Sequence, residues 1–383
     1  MLPFRYAIRN LFRDLSRLAQ TVLGAALVTL LVMCATAFNQ GMNDVLSASG
    51  DPRNVILLGA GSEDSLQRSE IPDRAAGIAE AAVPGISSWS GRRAVSRELH
   101  FMGYVAVPNH EPVQTLVRGV TPNALLVHPD VTLVEGHFPK PGQLLVGRLA
   151  WKSLGIPRKD LRVGSTLRFD DQTFTVSGVF AAPGTVMESE IWADLNDLRT
   201  LTQRDNLSGV VLRLNEPDPA DAQLFTTRRL DLELAAVPES DYYANLADFY
   251  GPIRAMTWIT AALIGVGAVV GGFNTLYAAF ASRITELATL QTLGFSRPAI
   301  LFSLTQEALM AGLLGALIAC GIALWTLDGL VVAFSMGTFT LRMTPTVVFA
   351  GLGTGLGLGL LGAAPPALRC LLPPLPVALR SAA

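Results

Sequence analysis

Charge is scarce in this sequence. Asp, Glu, Lys and Arg make up 16% of its 383 residues, against about a quarter in an average soluble domain. That excludes an ordinary soluble fold for the whole chain. Cysteine is scarcer still. Cys34, Cys320 and Cys370 are the three present, and all fall in or beside uncharged apolar runs. The polar middle of the chain has none, so no disulfide framework can hold it and its own core must. A nucleotide-binding signature is missing too. Gly142 and Gly147 stand at P-loop spacing, but the Lys and the Ser/Thr that contact phosphate and magnesium are absent. The segment reads as a turn between strands. The histidines are His100, His110, His128 and His137. None has a cysteine or carboxylate partner at metal-ligand spacing, and they are expected on the surface or in loops. No order of Ser, His and Asp argues a hydrolytic triad. No catalytic residue, cofactor site or metal site is expected.

What the sequence does have is long apolar runs. Uncharged stretches cover Leu18–Asn43, Ala255–Ser282, Ala308–Leu327 and Met343–Leu368. A bilayer core about 30 Å thick takes roughly 20 apolar residues of helix, and all four stretches qualify. Between the first two lies a polar segment, Asp44–Tyr250, with 27 acidic and 19 basic residues. Its negative balance gives no reason to expect a nucleic-acid partner. Arginines mark the other side of the membrane: Arg5, Arg9, Arg13 and Arg17 before the first run, Arg283 and Arg297 between the second and third, Arg369 and Arg380 after the last. The positive-inside rule then puts both termini in the cytoplasm and Asp44–Tyr250 outside. In a bacterium this is a multi-pass protein of the inner (plasma) membrane.

The expected parts follow in order. Residues 1–19 form an amphipathic elbow helix, with Phe4, Ile8, Leu11, Phe12, Leu15 and Leu18 at helical spacing. The first span covers 20–43, the external domain 44–250 and the second span 255–282. A cytoplasmic hairpin covers 283–298, the third span 299–327, an external loop 328–342, the fourth span 343–368 and a cytoplasmic tail 369–383. The first apolar run is too long for a signal-peptide core and reads as an uncleaved anchor. The fold class is therefore a four-helix membrane protein with a large α+β external domain, expected in two lobes. Strands are expected at Asn54–Gly59, Ala94–Leu99, Tyr104–Val107, Thr115–Gly119, Leu144–Val146, Thr166–Phe169, Phe174–Phe180, Ile191–Ala193 and Gly209–Leu214. Helices are expected over Ile71–Val83, Leu149–Leu154, Leu195–Leu201 and Ala220–Ala235.

Small residues stand at close-packing spacing in the spans: Gly267 and Gly271, then Gly351, Gly355 and Gly359. Pro365 and Pro366 are expected to break the last helix near its inner end. Glu307 is the one charged residue within the last three spans. It lies a few turns from the inner face, where pairing with a cytoplasmic arginine suits it better than carrying protons. The spans thus hold no energy source. Yet a polar stretch, Arg283–Arg297, sits between two of them on the cytoplasmic side, which points to an energising partner.

Short motifs recur in a familiar order. Tyr6–Arg13 opens the chain. Val117–Pro122, Leu133–Gly136, Leu144–Ala150 and Phe174–Val179 follow in the polar segment. Arg283, Glu286, Leu293-Gly294 and Arg297 make up the hairpin, and Pro376–Arg380 closes the chain. Together they resemble the FtsX/MacB-type permeases of ABC systems over nearly the whole chain. With no fused nucleotide-binding domain, the arrangement resembles that of DevC or of LolC/LolE, with a separate ATPase subunit. The resemblance implies an external domain of the MacB periplasmic-core type. It implies a permease dimer, of two copies or of a copy with a related permease, above separate ATPase subunits that carry the ATP and Mg. The hairpin would be a coupling helix seated in an ATPase groove, with Arg283, Glu286, Leu287, Leu290, Gly294 and Arg297 as contact or shaping residues. The implied function is mechanotransmission. ATP hydrolysis in the partner moves the external domain to export or extract a hydrophobic substrate such as a lipid, lipoprotein, peptide or drug. Further implied partners are membrane lipid, a periplasmic membrane-fusion adaptor and an outer-membrane channel. The alternative is FtsX-like signalling to an extracytoplasmic enzyme without transport.

Overall fold

Each of the four apolar runs lies in a helix of 27 to 35 residues in the computed structural model. The structure describes residues 4–170, 172–334 and 337–374. In chain order, α1 (Phe4–Leu11) and α2 (Leu15–Ser49) precede β1 (Asn54–Gly59), α3 (Arg74–Ala82), β2 (Ser88–Trp89), β3 (Arg92–Arg93), β4 (Val95–Ala106) and β5 (Val113–Val120). Next come α4 (Ala124–Val127), β6 (Thr132–Gly136), β7 (Gln143–Gly147), α5 (Ala150–Ser153), β8 (Thr166–Phe169), β9 (Gln172–Ala181) and β10 (Ile191–Asp194). They are followed by α6 (Leu195–Thr202), β11 (Gly209–Arg213), α7 (Ala220–Arg228), β12 (Leu234–Pro238) and α8 (Glu239–Phe249). The chain then runs through α9 (Gly251–Ala281), α10 (Ile284–Thr292), α11 (Arg297–Thr326), β13 (Val331–Phe334), β14 (Gly337–Thr340) and α12 (Pro345–Leu371). It divides into two units: residues 1–40, 252–330 and 341–383, and residues 41–251 with 331–340.

In the membrane unit, α2, α11 and α12 meet through small residues. A Cβ placed on Gly355 would lie 2.6 Å from Ala316 Cβ and 2.7 Å from the Gly312 carbonyl oxygen. One on Gly359 would lie 2.7 Å from the Ala308 carbonyl oxygen, and one on Gly351 2.7 Å from Met33 Sδ. The backbones approach this closely only because the side chains are missing. Overpacking a filled seam costs about 1–3 kcal/mol. Gly355→Leu should therefore lower the thermal unfolding temperature of the purified chain. Gly353→Leu, whose Cβ would meet nothing within 4 Å, should leave it in place.

Two expectations about this unit are corrected. The elbow is not one helix over 1–19. The chain turns at Phe12–Asp14, where Asp14 Oδ1 accepts the Arg17 backbone N–H at 3.1 Å and the Ser16 hydroxyl at 2.9 Å. That carboxylate meets one of the free donors at the start of α2, so the apolar periodicity runs across a helix boundary. Nor do Pro365 and Pro366 end the last helix, which continues to Leu371. A membrane helix tolerates proline where neighbours support it. Here Ala363, Pro366 and Ala367 are all buried against neighbouring helices. The Pro376–Arg380 motif lies outside the described residues.

In the polar unit a 10-stranded sheet runs in the order β12-β1-β11-β4-β5-β10-β7-β9-β6, with β8 joined to β4 and β9. The expected two lobes are instead one continuous sheet. Strand β4 makes the join: Val95–Glu98 pairs with β11 and Leu99–Val105 with β5. The sequence pattern splits β4 in two because His100 and Gly103 interrupt its apolar run. Both sheet faces are covered. Leu144 and Val146 of β7 enter the larger core with Val117, Phe169 and Leu198. Leu145 points the other way, into a smaller core with Phe180 and Trp192. A strand covered on both faces reads as a continuous apolar run, and Leu144–Val146 does.

Other corrections concern lengths. The helix expected over Ala220–Ala235 ends at Arg228, and Leu234–Pro238 is an edge strand on β1. The segment expected as an external loop over 328–342 holds the β13–β14 hairpin, and residues 331–340 belong to the polar unit. Thr338 N–H donates to Ser189 Oγ at 3.0 Å, and Phe339 packs near Phe334.

Candidate coupling site

The hairpin between α9 and α11 is built by local rules. Helix α9 ends at Ala281, and Arg283 stands before α10. Helix α10 closes with a Schellman motif. The Phe295 N–H donates to the Leu290 carbonyl and the Gly294 N–H to the Gln291 carbonyl, both at 3.1 Å. Gly294 has φ +95°, which a residue with a Cβ adopts only under strain. Leu290 and Phe295 pack together against the same apolar core, the contact that accompanies this motif. Pro298 then stands in the first turn of α11, where its missing N–H costs nothing.

The candidate coupling residues separate into an inner and an outer set. Arg283 is inner. Its Nη1 donates to Glu307 at 3.2 and 3.1 Å, and its Nη2 donates to the Asn10 carbonyl at the end of α1 at 3.3 Å. The two side chains of this pair are only 9% and 15% exposed. Leu287 is inner as well, buried with Phe280, Ile300, Leu304 and Ala363. Leu290 is half-buried against that core. Glu286 is half-buried and takes a hydrogen bond from Arg13 at 2.8 Å. Gly294 and Arg297 are outer and exposed, with Arg297 Nε donating to Gln291 at 3.4 Å. Leu293 is 71% exposed, although a three-residue spacing seems to align it with Leu287 and Leu290. Each three-residue step falls about 60° short of a full turn. Two steps carry Leu293 about 120° off the buried line.

The glycines separate in the same way. Gly351, Gly355 and Gly359 of α12 face other helices. A Cβ on Gly267 or Gly271 would meet nothing within 4 Å, so these two pack against no helix of this chain. Gly271 instead lines a cleft of about 280 Å³ with Gly24, Ala25, Gly312 and Gly359. Along α9 only Ala261, Ala279 and Phe280 are buried.

The polar unit holds a feature that sequence reasoning missed. Arg118, in the Val117–Pro122 motif, is buried between two carboxylates, Glu98 at 3.0 Å and Glu190 at 2.7 Å. His100 and His128, expected on the surface, are also buried, each 3.1 Å from Glu98. Of the four histidines only His137 is exposed. Burial would raise the Glu98 pKa, but Arg118 and the hydrogen bonds from the two histidines hold it well below the usual carboxylate range. No spacing signal exposes this group, because its members come from β4, β5, the residue after α4 and the residue before β10.

Comparison with known proteins supports both units. Residues 19–224 match the MacB-like periplasmic core domain, and residues 258–371 match the FtsX-like permease C-terminal domain. The periplasmic region of MacB from Actinobacillus actinomycetemcomitans is 12% identical with a TM-score of 0.40, covering 52% of this chain and 94% of that one. The extracellular domain of the noncanonic ABC-type transporter YknZ from Gram-positive bacteria is 14% identical with a TM-score of 0.37, covering 48% and 99%. No curated protein sequence matches. Permeases of these families are typically non-catalytic membrane subunits that work with an ATPase partner. The chain belongs to the FtsX/MacB-type permeases of ABC transporters, embedded in the membrane by four helices and carrying an α+β domain of the MacB periplasmic-core type.

Proposed function

We propose that this chain is the permease subunit of a DevC-like ABC exporter, driven by a separate ATPase that grips the α10 hairpin from the cytoplasm. The observation that carries this reading is how α10 is fastened. Arg283 ties its start to Glu307 of α11 and to the end of α1, and Leu287 seats in the core shared by α9, α11 and α12. A helix held this way does not swing alone. A push on its outer face moves the inner ends of α11 and α1 with it. The outer face offers an exposed leucine, Leu293, beside the cationic Arg297. Glu307 is engaged by Arg283, and α9, α11 and α12 hold no other carboxylate. Carriage coupled to protons has no group to use there.

In this scheme the movement reaches the periplasmic domain through α2 and α9, the helices that flank it in the chain. It drives a hydrophobic substrate, such as a lipid, lipoprotein, peptide or drug, onward through an adaptor and an outer-membrane channel. A second permease copy covers the open face of α9, including Gly267 and Gly271. Both termini lie in the cytoplasm and the spans in the inner membrane. The test is co-purification with the ATPase encoded beside this chain. The paired change Leu293→Asp and Arg297→Glu should abolish capture. Arg228→Glu, on the polar unit, should not. Capture that survives the paired change removes the coupling assignment.

A further inference from the structure

The buried charges of the polar unit extend to where its chain meets the membrane helices. Glu98 Oε1 faces Nε2 of His128 at 3.1 Å. The other ring nitrogen of His128, Nδ1, lies 3.8 Å from Glu239 Oε1, with both side chains 4% exposed or less. Glu239 Oε2 accepts the Asp51 backbone N–H at 3.0 Å and Asn54 Nδ2 at 2.8 Å. Glu239 is the first residue of α8, which leads through Tyr250 into α9. Asp51 follows α2 by two residues. One carboxylate therefore holds the chain leaving α2 to the chain returning toward α9. The two backbones touch there, since a Cβ on Gly50 would lie 2.7 Å from Ser240 Cα and 2.9 Å from the Glu239 carbonyl oxygen.

The charges do not balance without a proton. The group holds three buried carboxylates, Glu98, Glu190 and Glu239, and one guanidinium, Arg118, which pairs with the first two. Arg213 borders the group, donating to Asn54 at 3.3 Å and to the Val127 carbonyl at 3.0 Å, but its charge is paired with Asp51 at 2.7 Å. Unpaired charge in a dry interior is expensive. Neutral imidazole has one N–H and can serve Glu98 or Glu239, whereas imidazolium presents an N–H to each. A cavity of about 150 Å³, bordered by Gly50, Asp51, Asp130 and Thr185, reaches His128 and Glu239 and gives protons a way in. We propose that His128 and Glu239 form a proton-binding site that clasps the outer end of α2 to the start of α8 when occupied and loosens it when empty. The clasp lies wholly within the polar unit and does not depend on how the hairpin is driven.

The groups facing His128 set the direction. Burial opposes its charge, but the hydrogen bond to Glu98 and the charge of Glu239 raise its pKa above the ordinary 6.5. Arg118 works against this and is outweighed. Burial also pushes Glu239 up, opposed by His128 and Asn54. Both groups bind protons more tightly in the folded clasp. The contribution of His128 is complete below about 6.5 and is lost as pH rises through its raised pKa, whereas that of Glu239 is complete only below about 4.5 and is lost through its own raised pKa. His100 behaves oppositely. Burial and Arg118 lower its pKa below 6.5, so its contribution is lost as pH falls. Tyr243, pushed far up by burial, keeps its proton throughout.

The test uses the full chain in lipid nanodiscs with ¹⁵N-labelled histidine, the ring signals being assigned by single replacements. Spin labels at Ser47→Cys and Ala244→Cys, with the native cysteines replaced by serine, report the clasp distance. Between about pH 5.5 and 9, His128 should titrate with a midpoint above 6.5, and the spin–spin distance should lengthen through the same midpoint. Glu239→Gln should lower the His128 midpoint and keep the distance short at every pH. His128→Gln should give the long distance at every pH. If His128→Gln does not fold, Glu239→Gln alone decides, because its distance must stop responding to pH. A His128 midpoint at or below 6.5, a distance insensitive to pH in the unaltered chain, or a response that persists in Glu239→Gln overturns the proposal.

Discussion

Arg118→Met is expected to lower the unfolding free energy of the polar unit by about 3–5 kcal/mol. The Arg118 side chain is 3% exposed and lies between Glu98 and Glu190. Its guanidinium also sits 5.8 Å from the centre of the Trp192 ring, and Trp192 Nε1 donates to Glu190 at 2.9 Å. Removing the cation leaves two carboxylates buried with too few partners. They must take up protons or drag water into the sheet. Arg118→Lys should restore only part of the loss, because an ammonium cannot span two carboxylates as a planar fork does. The triple change Arg118→Met, Glu98→Gln and Glu190→Gln removes all three charges and should recover most of the stability. The readout is the urea midpoint of the full chain, followed by intrinsic fluorescence. A midpoint unmoved by Arg118→Met would mean that the cluster is not the clamp its geometry indicates.

The second large effect concerns Arg283 and Glu307. Arg283→Met leaves a carboxylate without its partner in an apolar helix, a change that costs about 3–5 kcal/mol when a buried pair is broken. The double change Arg283→Met with Glu307→Leu should recover that stability, because a buried ion pair is often replaceable by apolar groups. Function should not return with it. The outer surface of the hairpin keeps Leu293 and Arg297, so the double variant should still capture its ATPase. The polar link that Arg283 makes from α10 to α11 and α1 is gone, so ATP hydrolysis should respond far less to changes in the periplasmic domain. Thermal unfolding of the chain and ATPase rates of the reconstituted complex separate the two outcomes. A stable double variant whose ATPase still responds normally would show that Arg283 is only a structural residue.

Some of this was legible in advance. The strands Asn54–Gly59 and Thr166–Phe169 stand where the local pattern puts them. The turn at Gly294 follows from one residue type and one backbone angle. The motifs Val117–Pro122, Leu144–Ala150 and Phe174–Val179 mark largely buried strands of the sheet, whereas Leu133–Gly136 falls on the exposed edge strand β6. Other features were hidden for an identifiable reason. The sequence leads one to expect a cytoplasmic arginine beside Glu307 but not which one; α11 brings it beside Arg283, 24 residues away in sequence. His128 reads as a surface or loop residue and no local signal marks Glu98 or Glu239, because 30 positions separate the first two and Glu239 comes later still, on a different element.

By itself, then, the sequence determined four membrane helices, a polar α+β domain between the first two, and a polar hairpin between the second and third. These follow from apolar run length, strand periodicity and turn chemistry, which are properties of neighbouring residues. Tertiary structure alone decided which hairpin residues face inward, which glycines meet another helix and which histidines are buried. Those outcomes depend on what a distant segment places opposite each side chain. A buried charge or a missing Cβ acquires its meaning only from that partner.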